Sequence, residues 1–160
     1  MTKETRSTTE IVNARRIING PSDMLRAVSA TRFPWTREVW KKMIANTWFV
    51  ENLTLTRDVA EYDSLEPGQQ LAIKRALGFL SNLDSIQVDN LTTNVMTFIT
   101  DPTIAQLMRR QAAEEDIHVE TYSAIVETVI RDPMAVYDLY YHMEALAKKN
   151  DFIVAQGQIV

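Results

Sequence analysis

The sequence predicts an all-α protein, on three observations. Only four glycines interrupt 160 residues. Apolar residues recur in steps of three and four over long stretches, and the Pro, Asp and Ser signals that punctuate the chain fall where helices would begin. Apolar residues make up 46 % and charged residues 24 %, the balance of a chain that folds around one core. The length is that of a single domain.

Taken in order, residues 1–30 are polar and irregular, with a turn at Gly20-Pro21-Ser22-Asp23, and are expected to form an extended or mobile arm. Proline suits the first helical turn, so a first helix is expected from Pro34 or Trp35 to about Val50, followed by a loop. Ser64 with Glu66-Pro67 opens a second helix, a Ser or Glu side chain capping its free amides, and this one continues past Leu91. Asp101-Pro102 supplies a cap and a first-turn proline for a third helix that ends before Asp132-Pro133. That dipeptide repeats the signal and starts a fourth helix, to about Lys149. The tail NDFIVAQGQIV shows no helical period.

Composition excludes several classes. A formal net charge of −4 without a Lys/Arg cluster argues against a nucleic-acid surface. No apolar run reaches the ~18 residues of a membrane span, and the N-terminus MTKETRSTTE lacks the oily segment of a secretion signal, so a cytoplasmic protein is expected. There is no cysteine, which removes disulfides and thiolate metal sites together. A metal would have to be held by oxygen and nitrogen.

The third helix carries a seam of Ile104, Met108, Gln111, Glu115, His118, Tyr122, Ile125 and Val129, in steps of four and three throughout. Its flanks, Arg109, Arg110, Asp116, Glu120, Glu127 and Arg131, read as solvated. The second helix has a matching seam of Ile73, Leu77, Leu80, Asp84, Val88 and Leu91. Both seams are polar at mid-length. A buried carboxylate without a partner costs several kcal/mol, a large share of a total stability of about 5–15 kcal/mol. A protonated carboxyl, an ion pair or a metal cation could compensate, and no Lys or Arg lies on either seam near the acids.

Asp84, Glu115 and His118 are ligand types that hold iron, manganese or zinc. Glu and His at i and i+3 project from one face a turn apart, and carboxylate four-helix bundles build dinuclear sites from two such Glu-x-x-His helices plus one carboxylate from each of two others. The spacing alone is weak evidence; the shared phase on the seams strengthens it. The competing interpretation is a hydrogen-bonded polar core. Taken singly, Tyr122 and Trp48 read as packing residues, the methionines as gap fillers, and His142, beside Tyr137, Tyr140 and Tyr141, as a surface or interface residue.

Together these residues resemble the radical-generating small (beta) subunit of class I ribonucleotide reductase. The resemblance is carried in order by Trp48 followed by an acidic loop, FLSNLDSIQ (79–87), EEDIH with a tyrosine four residues beyond the histidine, and IRDP (130–133). It implies a ferritin-like helical bundle in which Asp84, Glu115 and His118 are ligands of one metal of a dinuclear iron or manganese centre. It further implies that Tyr122 holds the stable radical formed when the reduced centre reacts with oxygen. Trp48 would relay the electron hole toward the large (alpha) subunit, which carries out ribonucleotide reduction.

A member of that family is about twice this length, and its second half supplies two more glutamates and a second Glu-x-x-His. This chain has one acid-x-x-His and offers three ligands to a site that needs about six. The expectation is therefore a mobile arm over residues 1–30 and, over 31–160, the N-terminal half of a ferritin-like bundle. A complementary C-terminal fragment on a separate polypeptide would complete it, within a two-fold symmetric oligomer. Two copies pairing about a two-fold axis, or a fragment without a working centre, are the alternatives. Rival functions are another dinuclear iron oxidase or desaturase, and a non-enzymatic helical interaction module.

Overall fold

The computed structural model describes residues 6–21 and 23–158; the first five residues of the expected arm, Ser22 of its turn and the last two residues of the tail lie outside them. The described chain is all α, and an isolated antiparallel bridge between Ile18 and Ile99 is the nearest it comes to a strand. No described helix is long and apolar enough to cross a membrane.

One stretch of the described arm differs from the extended or mobile reading. Residues Thr8–Ala14 form a helix, α1. A capping box starts it: Ser7 Oγ accepts from the Glu10 N–H at 3.3 Å and the Glu10 carboxylate accepts from the Ser7 N–H at 2.7 Å. Beyond it Arg15 is buried, donating from Nε and Nη2 to the two carboxylate oxygens of Asp23 and from Nη1 to the Ala30 carbonyl. Backbone bonds from Asn19 to Phe98 and from Thr100 to Ile17 then stitch the arm to the far end of the helix pair described below.

Helix α2 spans Thr36–Ala45, short of the expected Val50; the chain turns at Asn46, runs irregularly through 47–49 and makes one 3-10 turn, Val50–Asn52. Where a loop is expected, α3 forms over Thr56–Ser64, burying Tyr62 against the core. Two inward side chains, Val59 and Tyr62, are too few to show a period in sequence. Helix α4 spans Pro67–Asp89 and is capped at Glu66, whose N–H donates to Gln69 Oε1 at 3.0 Å; Ser64 closes α3 instead, its hydroxyl donating to the Glu61 carbonyl. As expected, the helical path passes Leu91. It does so through a π-helical segment, Asn90–Val95, and a last turn, α5, Met96–Phe98.

Helix α6, Pro102–Val129, begins where the Asp-Pro signal places it, Asp101 Oδ1 accepting from the N–H groups of Thr103 and Ile104. The expected fourth helix divides. Helix α7 runs over Met134–His142, the chain is extended at Met143, and α8 resumes over Glu144–Gly157, through most of the tail read as aperiodic. Its buried positions, Leu146 and Asn150, pair an apolar residue with a polar one, which hides the inward face from a hydropathy reading.

The antiparallel pair α4 and α6 is the most extensive packing in the molecule. Tyr62, Leu77, Val126, Val129, Ile130 and Val136 close one end of it as an apolar cluster, each large aliphatic side chain stabilising by about 1.5–3 kcal/mol when fully buried. Gly78 lets α7 come close: a Cβ there would stand 2.9 Å from the Val136 carbonyl oxygen.

Candidate metal centre

Away from that apolar cluster, the two seams meet at their polar positions. Asp84 projects from α4; Glu115 and His118 project from one face of α6, a turn apart. His118 Nδ1 lies 3.0 Å from Glu115 Oε2 and 3.5 Å from Asp84 Oδ2. One donor atom from each of the three falls within 4.8 Å of the others. The carboxylates are 15 % and 17 % exposed, whereas the imidazole is 37 % exposed, so the cluster opens on the histidine side.

The electrostatics follow from this placement. Burial raises the Asp84 carboxyl above its ordinary range, the negative charge of Glu115 raises it further, and His118 opposes both. The Tyr122 phenol, one turn beyond His118 and packed against the edge of the apolar cluster, is pushed up by burial first and then by Asp84 and Glu115. It therefore keeps its proton at neutral pH. Two acids and one imidazole share a small volume, and among the described residues no Lys or Arg pairs with either acid. The guanidinium that shares a cleft with His118, that of Arg110, is 12 % exposed and bound to Glu114 Oε1 at 3.1 Å.

That burial corrects the reading of Arg110 as a solvated flank; Arg109, Asp116, Glu120, Glu127 and Arg131 are exposed as expected. The signal available in sequence was the Arg110/Glu114 spacing of four, but nothing local shows that Thr47 receives its second bond. Trp48 follows that threonine, and its ring stacks on the His118 imidazole, with centroids 5.8 Å apart and planes at 20°. Asn46, Thr47, Trp48, Arg110, Glu114 and His118 line a cleft of about 160 Å³ beside the cluster. His142 lies exposed at the end of α7, and among the described residues Asp84, Glu115 and His118 are the group of metal-ligating side chains that come together.

Two oxygens and one nitrogen, held without a neutralising Lys or Arg among the described residues, are donors of the types that hold iron, manganese or zinc. They are three donors, where dinuclear bundle sites take about six protein ligands.

Known proteins resemble this chain over nearly all of its length. The family described as ribonucleotide reductase, small chain, matches residues 27–158. The ribonucleoside-diphosphate reductase subunit beta of Treponema pallidum is 30 % identical over 145 residues, which is 89 % of this chain and 41 % of that protein. That of Halalkalibacterium halodurans is 28 % identical, over 86 % of this chain and 40 % of the relative. Among solved structures, the ribonucleotide reductase R2 subunit from Clostridium botulinum superposes with a TM-score of 0.85 at 29 % identity, over 90 % of this chain and 46 % of that one. The dimanganese(II)-NrdF of Streptococcus sanguinis shares the fold, with a TM-score of 0.74. The expected ferritin-like helical architecture is thereby shown, and the chain spans about two fifths of the length of the curated relatives it matches. Since the matched region takes in all five residues of the polar seam and its neighbouring indole, from Trp48 to Tyr122, the chain belongs to the ribonucleotide reductase small-chain family.

Proposed function

We propose that these residues form one side of the dinuclear metal centre of a ribonucleotide reductase small subunit, together with its radical tyrosine. The observation that supports the reading is the meeting of Asp84, Glu115 and His118 donor atoms within 4.8 Å at the polar middle of two long helices. The remaining ligands come from helices outside these 160 residues, and the large subunit carries out nucleotide reduction.

In this reading Asp84, Glu115 and His118 hold one metal of an iron or manganese pair, which with dioxygen supplies the power to oxidise a phenol. Tyr122 is placed to be that phenol. It is partly buried, beside the apolar packing of Ile125 and the core cluster, and it is held protonated until it loses an electron. The same side chains cover part of its ring, and shielding from water prolongs the life of a radical. Trp48, stacked on His118 at the exposed side of the cluster, is the relay toward the large subunit.

The deciding measurement is electron paramagnetic resonance on the assembled small subunit, this chain together with the polypeptide that completes the bundle, after ferrous iron and oxygen. A lasting tyrosyl signal is expected, and Tyr122→Phe removes it while leaving bound iron unchanged. Persistence of the signal in that variant refutes the assignment of Tyr122. Oxygen consumption without any lasting signal would instead favour a dinuclear oxidase of another kind.

A further inference from the structure

The link over residues 47–49 carries Trp48 but has no regular structure of its own. Among the described residues, one side-chain hydrogen bond ties it to α6: Arg110 Nη2 donates to Thr47 Oγ1 at 2.7 Å. The same nitrogen sits 3.1 Å from Glu114 Oε1, so the guanidinium is anchored on its own helix and reaches across to the link. Thr47 Oγ1 in turn donates to the Met43 carbonyl at 3.4 Å, passing the connection into the end of α2. The next residue along the chain is the indole that stacks on His118.

We propose that Arg110 is a positioning residue for Trp48, its bond to Thr47 fixing the link so that the indole stays docked on the His118 imidazole. This rests on the reading of Trp48 as the relay. Arg110 itself exchanges neither a proton nor an electron. Its contribution is geometric: a link of three irregular residues samples many backbone states, and a part-buried bond from a charged donor selects the docked one by about tenfold or more. Passage of an electron between an indole and its neighbour depends on that placement, as reactions of held groups do generally. The position of Arg110 gives it the necessary leverage, one side of the cleft being formed by α6 and the other by the link.

The chain has three tryptophans, so Trp35→Phe with Trp40→Phe leaves Trp48 as the reporter. In that background Arg110→Met and Thr47→Val are each expected to raise the acrylamide quenching constant of Trp48 by about twofold or more and shift its emission to the red, because the docked population falls. Arg110→Lys, which keeps a donor nitrogen near Glu114, recovers part of the change. In the assembled small subunit loaded with ferrous iron and oxygen, Arg110→Met keeps its iron content and Tyr122 signal while nucleotide reduction with the large subunit drops by about tenfold. Unchanged quenching in both variants overturns the proposal, Thr47→Val being nearly isosteric and so a test that survives poor folding of the arginine variant. Undiminished reduction in Arg110→Met, where Trp48→Phe abolishes it, overturns the proposal as well. Full reduction in Trp48→Phe instead removes the relay reading, and raised quenching in Arg110→Met then still supports the positioning contact, so the two failures are told apart.

Discussion

Two groups of carboxylates sit inside this chain, and it treats them in opposite ways. At the arm, Asp23 and Asp101 surround the buried Arg15; Asp23 receives two of its N–H groups, and both acids favour the charged guanidinium. The Arg15 bond holds the Asp23 carboxyl below its ordinary range. At mid-seam, Asp84 and Glu115 share one partly exposed imidazole, and burial with mutual repulsion pushes Asp84 the other way. In the first group the chain itself supplies a buried guanidinium, which pairs with Asp23 at 3.0 Å. The second has no Lys or Arg partner among the described residues, and Arg110, in the cleft beside it, is engaged with Glu114 and Thr47. One cluster has a guanidinium of its own and the other has an imidazole alone, a difference that fits the metal site proposed at the second.

The contrast can be broken most severely at the arm. Arg15→Met strands Asp23 without its partner, and removing one member of a buried pair costs about 3–5 kcal/mol; urea unfolding of the chain is expected to show a loss of that size. At the seam the same kind of change acts differently. Glu115→Gln is expected to weaken binding of ferrous or manganous ion by at least about tenfold to a hundredfold, by analogy with the loss of groups that merely orient a ligand, while the metal-free chain is no less stable because a repulsion has been relieved. Metal titration followed by unfolding without metal checks both halves. A variant that lost stability without losing metal affinity would turn the cluster back into a structural network.

The smallest effect, and the sharpest in sign, is the pH dependence. Asp23 has a lowered folded-state pKa, so its contribution is present above the ordinary value of 3.8 and is lost as pH falls through the folded value. Asp84 has a raised one, so its contribution is full below 3.8 and is lost as pH rises through the folded value. Without metal, Asp84→Asn is expected to flatten a decline in stability toward neutral pH, and Asp23→Asn to remove part of the acid loss. Denaturation midpoints measured from acid to neutral pH for the three chains decide it.

Which of these features could be read from the sequence depended on how far apart their causes lie. The cap at Asp101 and the proline after it are local, and α6 starts there. Asp84, Glu115 and His118 were visible because helical phase carries a side chain's direction along the chain, so a polar residue on an oily stripe stands out. Arg15 gave no such sign: its partners are eight to fifteen residues away and further, in a stretch whose polarity suggested an irregular arm. Arg110 misled for the same reason, since its second partner is 63 residues distant. Helices α3 and α8 were missed because each turns few apolar residues inward, Asn150 occupying a buried position where leucine would have declared the face.

The widened turn at Asn90–Val95 has a consequence for how the longest stretch of helix is used. An additional residue within a helical turn swings all that follows by about 100° around the axis, so side chains before and after it cannot share one stripe. The portion ahead of it aims Asp84 at α6, and the portion behind it ends at Phe98, whose carbonyl accepts from the Asn19 N–H of the incoming amino-terminal backbone. One rod thereby serves two neighbours in different directions, and a deletion within the wide turn would disengage one of them without unwinding the rod.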